Sequence, residues 1–216
     1  MKEHPSIMKK NSFLIGLATL IALLYNAWLI AIWLNPKVVN SSLLSGLSAL
    51  DQPYHFLFTF TDILSGIFCL FLAFRLYKIN EKKDNRLFMI FISIAGFGLT
   101  TAGAALFPYS DLPHSEGIPN PFKAPFLFIH DGLSVIALLF ILLAVVFSYL
   151  IYRGKLLMVL MIIFVLTTLL SFVAGAIPQL VGPLGQQINA IIGGIWLIFI
   201  SWKVQHDTFQ IIHEAS

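Results

Sequence analysis

Asp62 stands eight residues into the otherwise apolar run Tyr54–Tyr77, roughly 12 Å along a helix at 1.5 Å per residue. An ionisable side chain at such depth is costly unless it is paired or wetted, so it is a functional candidate by default. His55, Thr59 and Asp62 are spaced i, i+4, i+7 and share one helix face. A second polar pair, His130-Asp131, opens a later apolar run, with Ser134 one turn beyond His130. Two imidazoles and a carboxylate, His55, Asp62 and His130, are the ligand types of a divalent metal such as zinc. The same chemistry suits proton transfer, with Asp62, His130 and Asp131 as acid–base groups. A third arrangement sets a serine nucleophile, such as Ser45 or Ser134, against His130. Neither a His-Glu-x-x-His helix nor a nucleophile elbow is present to favour metal or serine chemistry. Asp111, Gln186 and Gln187 sit in the same half of the chain's polar pattern and are candidates for touching a substrate. Each of these residues also has a plainer reading: a polar seam that holds helices together, or an interfacial side chain near a helix start.

Absences narrow the chemistry. No arginine accompanies this cluster, so a bidentate phosphate clamp is missing. No phosphate-binding glycine loop occurs, and no lysine lies within the core of an apolar run to carry a Schiff base. The single cysteine, Cys69, excludes an internal disulfide and a paired-thiol redox centre. A net charge of +3 does not indicate nucleic acid, because the basic residues lie between apolar runs without interleaved aromatics.

The elements that must position these residues are membrane helices. Of 216 residues, 58% are hydrophobic and 11% charged, against about 25% charged in a soluble domain. Six spans of about 21 residues need some 126 apolar-rich positions, which is nearly all that the composition supplies. The chain therefore reads as one all-α domain over residues 1–216, an integral membrane bundle of six transmembrane helices. The expected spans are 13–34, 54–77, 87–107, 125–152, 156–177 and 184–202. Eleven of the 13 basic residues fall on one side of these spans, with Lys37 and Lys123 on the other. The positive-inside rule then puts both termini in the cytoplasm and the polar cluster in the outer half. Small residues crowd spans three and six, at Gly96, Gly98, Gly103, Gly193 and Gly194, where helices in lipid approach most closely. The run Asn40–Ser48 between the first two spans has the small-residue character of a short interfacial helix.

These features together resemble the uncharacterised six-span family called domain of unknown function 998, over about residues 13–203. The resemblance rests on Leu44-Ser45-Gly46-Leu47-Ser48-Ala49-Leu50, on Asp62-Ile63-Leu64-Ser65-Gly66, and on Ala95-Gly96-Phe97-Gly98 running on to Phe107-Pro108 with Asp111. His130 and Gly182-Pro183-Leu184-Gly185-Gln186-Gln187 complete it. Members often carry a basic residue where this chain has Gln187, which argues against anion binding there. The resemblance implies a six-helix membrane protein and brings no established activity. The expected whole is a multi-pass protein of a bacterial cytoplasmic membrane. Its polar cluster would serve either an enzyme or binder of a lipid or other apolar small molecule, or a transporter or accessory subunit that uses it for packing.

Overall fold

The computed structural model describes residues 5–41, 43–80, 85–109, 124–176 and 182–214, and among these all regular structure is helical. The order is α1 (Pro5–Tyr25), α2 (Trp28–Leu34), α3 (Pro36–Ser41), a 3-10 helix (Leu44–Ser48), α4 (His55–Ile79), α5 (Asn85–Ala105), α6 (Ala124–Tyr152), α7 (Lys155–Ala176) and α8 (Leu184–Glu214). Six stretches are long and apolar enough to cross a membrane: Phe13–Leu34, His55–Ile79, Asn85–Ala105, Leu127–Tyr152, Lys155–Ala174 and Leu184–Asp207. Lipid offers the backbone no hydrogen-bond partner, so an apolar run of this length must satisfy itself as a helix. The ends are set by local chemistry. Tyr54, in the left-handed region at φ 63°, turns the chain into α4. Arg153, at φ 47°, reverses it between α6 and α7. Gly182, at φ 60°, precedes Pro183 and the start of α8.

The long helices pack in a closed ring that follows chain order. α1 lies against α4, α4 against α5, α5 against α6, α6 against α7 and α7 against α8; α8 returns to α1. Leu72, Ile94, Val145, Phe164 and Trp196 fill its interior from five different helices. Glycines permit the closest contacts. Gly66 of α4 and Gly98 of α5 face each other so tightly that a Cβ on either would strike the other's carbonyl oxygen. Gly193 abuts Ile141 and Phe164, and Gly194 abuts Ala22 and Asn26. The small residues of spans three and six thus make inner contacts, as expected from lipid-phase packing.

Two local features depart from expectation. The first span is not one helix. It breaks at Tyr25-Asn26-Ala27, where Ala27 N bonds Leu24 O at 3.1 Å and Ile30 N bonds Ala27 O at 2.9 Å in tightened turns. Asn26 makes the break tolerable. Its amide nitrogen donates to Ala22 O at 2.9 Å and across to Ala190 O of α8 at 3.1 Å. Its oxygen accepts from Trp28 Nε1 at 3.1 Å. The other departure concerns the run before α4. Leu44–Ser48 is a 3-10 turn tucked against α2, α3 and α4, with Gly46, Leu47 and Ser48 buried. A hydrophobic residue set at that level, Trp28, Val39, Leu47, Phe58 and Ala190, holds it in place.

Candidate functional site

The ring holds a partly open cavity of about 150 Å³, and every crossing helix contributes to its wall. Leu24, Tyr25, Ala27 and Trp28 enter from the broken first span, and Ser45 and Leu47 from the 3-10 turn. α4 supplies Phe58, Thr61 and Asp62, and α5 supplies Thr101 and Ala104. α6 adds His130 and Ser134, α7 Ser171, and α8 Gln186 and Asn189. The wall is therefore mixed: hydroxyls, amides, one carboxyl and one imidazole alternate with aliphatic and aromatic carbon.

His130 is held rigidly. Its ring is 3% exposed. Nδ1 lies 3.0 Å from Ala104 O and 3.1 Å from Phe107 O, at the end of α5. Both partners are carbonyls, which only accept, so the proton belongs on Nδ1 and Nε2 carries the lone pair. Nε2 is buried and makes no hydrogen bond. Among the described residues it is the one such buried atom without a partner that belongs to a cavity-lining side chain. Buried polar atoms are nearly always satisfied, so this atom requires an explanation.

Asp62 contrasts with its neighbours. Asn189, in the same wall, donates to Phe164 O, Thr167 Oγ1 and Thr168 Oγ1 at 3.3, 3.2 and 2.9 Å. The Asp62 carboxyl takes part in no ion pair among the described residues, and the hydroxyl of Ser65 goes to its backbone oxygen at 2.9 Å. Tyr25 lines the same wall as Asp62.

Tyr109 backs His130 from outside the cavity wall. Its ring packs on His130 with centroids 4.4 Å apart. Its hydroxyl donates a short hydrogen bond to Asp131 and also meets Ser45. Its carbonyl accepts from Leu50 N at 2.8 Å, which ties the end of α5 to the segment before α4. Burial and the neighbouring Asp131 carboxylate push the Tyr109 phenol above the usual tyrosine range, so it remains a donor.

Of the residues singled out from the sequence, the structure brings together Ser45, Asp62, His130, Ser134 and Gln186 in one wall. His55 does not line the cavity; seven residues from Asp62, it sits about 10 Å away along the helix, with its ring edge-on to Phe56. Asp131 is outside the cavity and serves Tyr109. Among the described residues no three His, Cys, Asp or Glu side chains gather as a metal set. His55, Asp62 and His130 are thus not assembled as the three ligands that the sequence suggested. Gln186 Oε1 accepts from Leu44 N at 2.8 Å, and Gln187 Nε2 donates to Val39 O at 2.7 Å. Those two amides anchor the segment after α2 onto α8, and Gln187 does not reach the cavity. Asp111 lies outside the described residues.

Tyr25 and Tyr109 escaped the sequence reading. The one available signal was position: Tyr25 precedes the lone asparagine of span one, and Tyr109 follows the Phe107-Pro108 stop of span three.

No curated protein and no solved structure matches the chain. A family model described as protein of unknown function (DUF998) matches residues 17–203, which reaches into every crossing helix and takes in the described cavity wall. The chain belongs to that family, DUF998.

Proposed function

We propose that this membrane protein binds a small molecule inside the helix ring, with Asp62 and His130 as the polar groups that engage it and exchange a proton with it. The observation that carries this reading is His130: two carbonyls fix its proton on Nδ1, and Nε2 is left a buried base with nothing to bond. The unpaired Asp62 carboxyl in the same wall supports it. A packing seam is a poorer fit. Seam residues find partners on a neighbouring helix, as Asn26 does at the Ala190 carbonyl and Asn189 at the Thr168 hydroxyl, and the Asp62 carboxyl shows none among the described residues. The volume, about 150 Å³, is that of one benzene-sized molecule. Lipid enters this reading as the solvent through which the molecule arrives. The distribution of basic residues supports a topology with both termini in the cytoplasm and the cavity in the outer half.

The test is thermal stability of Asp62→Asn in detergent. A binding group left unpaired at a buried site costs stability, so its neutral isostere keeps the melting temperature or raises it by about 1–4 °C. A fall of more than about 5 °C marks a structural seam and overturns the proposal.

A further inference from the structure

The charge and surface of the cavity wall narrow the ligand further, given the binding site proposed above. Among the described residues, Asp62 is the one carboxylate in the wall, and none of those lining it is a lysine or arginine. A carboxylate withdrawn from water without a cation is an incomplete pair. Three aromatic residues, Tyr25, Trp28 and Phe58, surround the same space. Trp28 spends its indole N–H on Asn26, so what it offers the cavity is ring surface. Aromatic rings attract cations as well as carbon. Finally, the unsatisfied atom on the wall, His130 Nε2, is an acceptor and needs a donor.

We propose that the ligand is a small protonated amine. Its ammonium group pairs with the Asp62 carboxylate and gives an N–H to His130 Nε2, and its carbon skeleton packs against Tyr25, Trp28 and Phe58. Other classes fit less of the wall. An anion meets a carboxylate and no cation. A neutral alcohol satisfies His130 and leaves Asp62 uncompensated. A quaternary ammonium pairs with Asp62 but has no N–H for His130. A bare metal ion leaves the aromatic side of the cavity unfilled.

Calorimetric titration of the full chain in detergent at pH 7 tests this with n-butylamine, n-butanol, butyrate and tetramethylammonium. Alkylamines ionise near the lysine value of about 10.4, so n-butylamine enters as the cation. It is expected to bind about tenfold or more tightly than n-butanol, with no butyrate binding and weaker tetramethylammonium binding. In Asp62→Asn, whose melting temperature reports that it is folded, the preference over n-butanol disappears. Equal binding of n-butylamine and n-butanol, insensitive to Asp62→Asn, overturns the amine while leaving a binding cavity. Tetramethylammonium binding as tightly as n-butylamine overturns the bond to His130. No binding of any probe, together with a destabilised Asp62→Asn, overturns both the amine and the site.

Discussion

At the scale of single residues, the site depends on a side chain that does not face the ligand. Tyr109 covers His130 with its ring and anchors itself by its hydroxyl to Asp131 and Ser45. A hydrogen bond to a charged acceptor is worth about 1.5–3 kcal/mol when its partner would otherwise be stranded. Tyr109→Phe keeps the ring and deletes that bond. It is expected to lower unfolding stability by about 1–3 kcal/mol, measured by denaturant titration in detergent. Adding Asp131→Asn to Tyr109→Phe should cost less than the two single losses combined, because the same bond is removed once. The phenol gives a pH signature as well. Its pKa is raised by folding, so the folded chain holds the proton more tightly. Stability from this group is full below the unfolded tyrosine value of about 10 and declines as pH rises beyond it. In Tyr109→Phe that part of the alkaline decline is absent. Tyr109 was not legible because its importance lies in partners drawn from three separate segments. Asp62 and His130 were legible for the opposite reason. Each is an ionisable residue in an apolar run, a property visible without any partner.

At the scale of elements, hydropathy predicted the crossing segments to within a few residues at most ends, since burial in lipid is a sum over each run. The sixth is the exception, continuing to Asp207 rather than stopping at 202. The break in span one left no such trace. Asn26 is a single polar residue among apolar ones, with neither proline nor glycine beside it. The break exists because a carbonyl of α8 and the indole of Trp28 satisfy Asn26, and such partners appear only after folding. Irregular backbone at membrane depth is tolerated where protein buries it or where it lines a cavity. Here Tyr25, Ala27 and Trp28 do line one. Glycines test the helix contacts directly. A Cβ at Gly98 would come within 2.6 Å of Cys69 Cβ and would strike the Gly66 carbonyl. At Gly16 of α1 it would meet nothing within 4 Å. Gly98→Ala is therefore expected to lower the melting temperature by several degrees, as backbone contact between α4 and α5 must open. Gly16→Ala is expected to hold or raise it, since alanine is the better helix former by about 1 kcal/mol. Equal responses at the two positions would contradict this account of the α4–α5 contact.

At the scale of the whole molecule, the closed ring and the charge distribution make one directional statement. Six crossings carry the chain back to the end at which it started, and the long helices alternate direction around the ring. His130 and Gln186 therefore lie toward one end. Arg75, Lys78, Arg153, Lys155 and Lys203 lie toward the other. Aromatic rings help hold the basic end in order: Arg75 lies 5.9 Å from the Phe13 ring, Lys78 5.5 Å from Phe74 and Lys203 5.4 Å from Tyr152. Long cationic side chains that lay their stems along apolar surface keep their heads at the water interface, and such residues are retained on the cytoplasmic face. On the topology proposed above, the cavity end is expected to face outward. The lone cysteine makes this measurable, because Cys69 is fully buried and sits against α5. In a Cys69→Ala background, Asp51→Cys reports on the cavity end and Arg153→Cys on the basic end; both positions are exposed. An impermeant maleimide applied to intact cells is expected to label Asp51→Cys at once and Arg153→Cys only after the membrane is opened. The reverse pattern would put the cavity on the cytoplasmic side, where its ligand would come from metabolism within the cell rather than from outside.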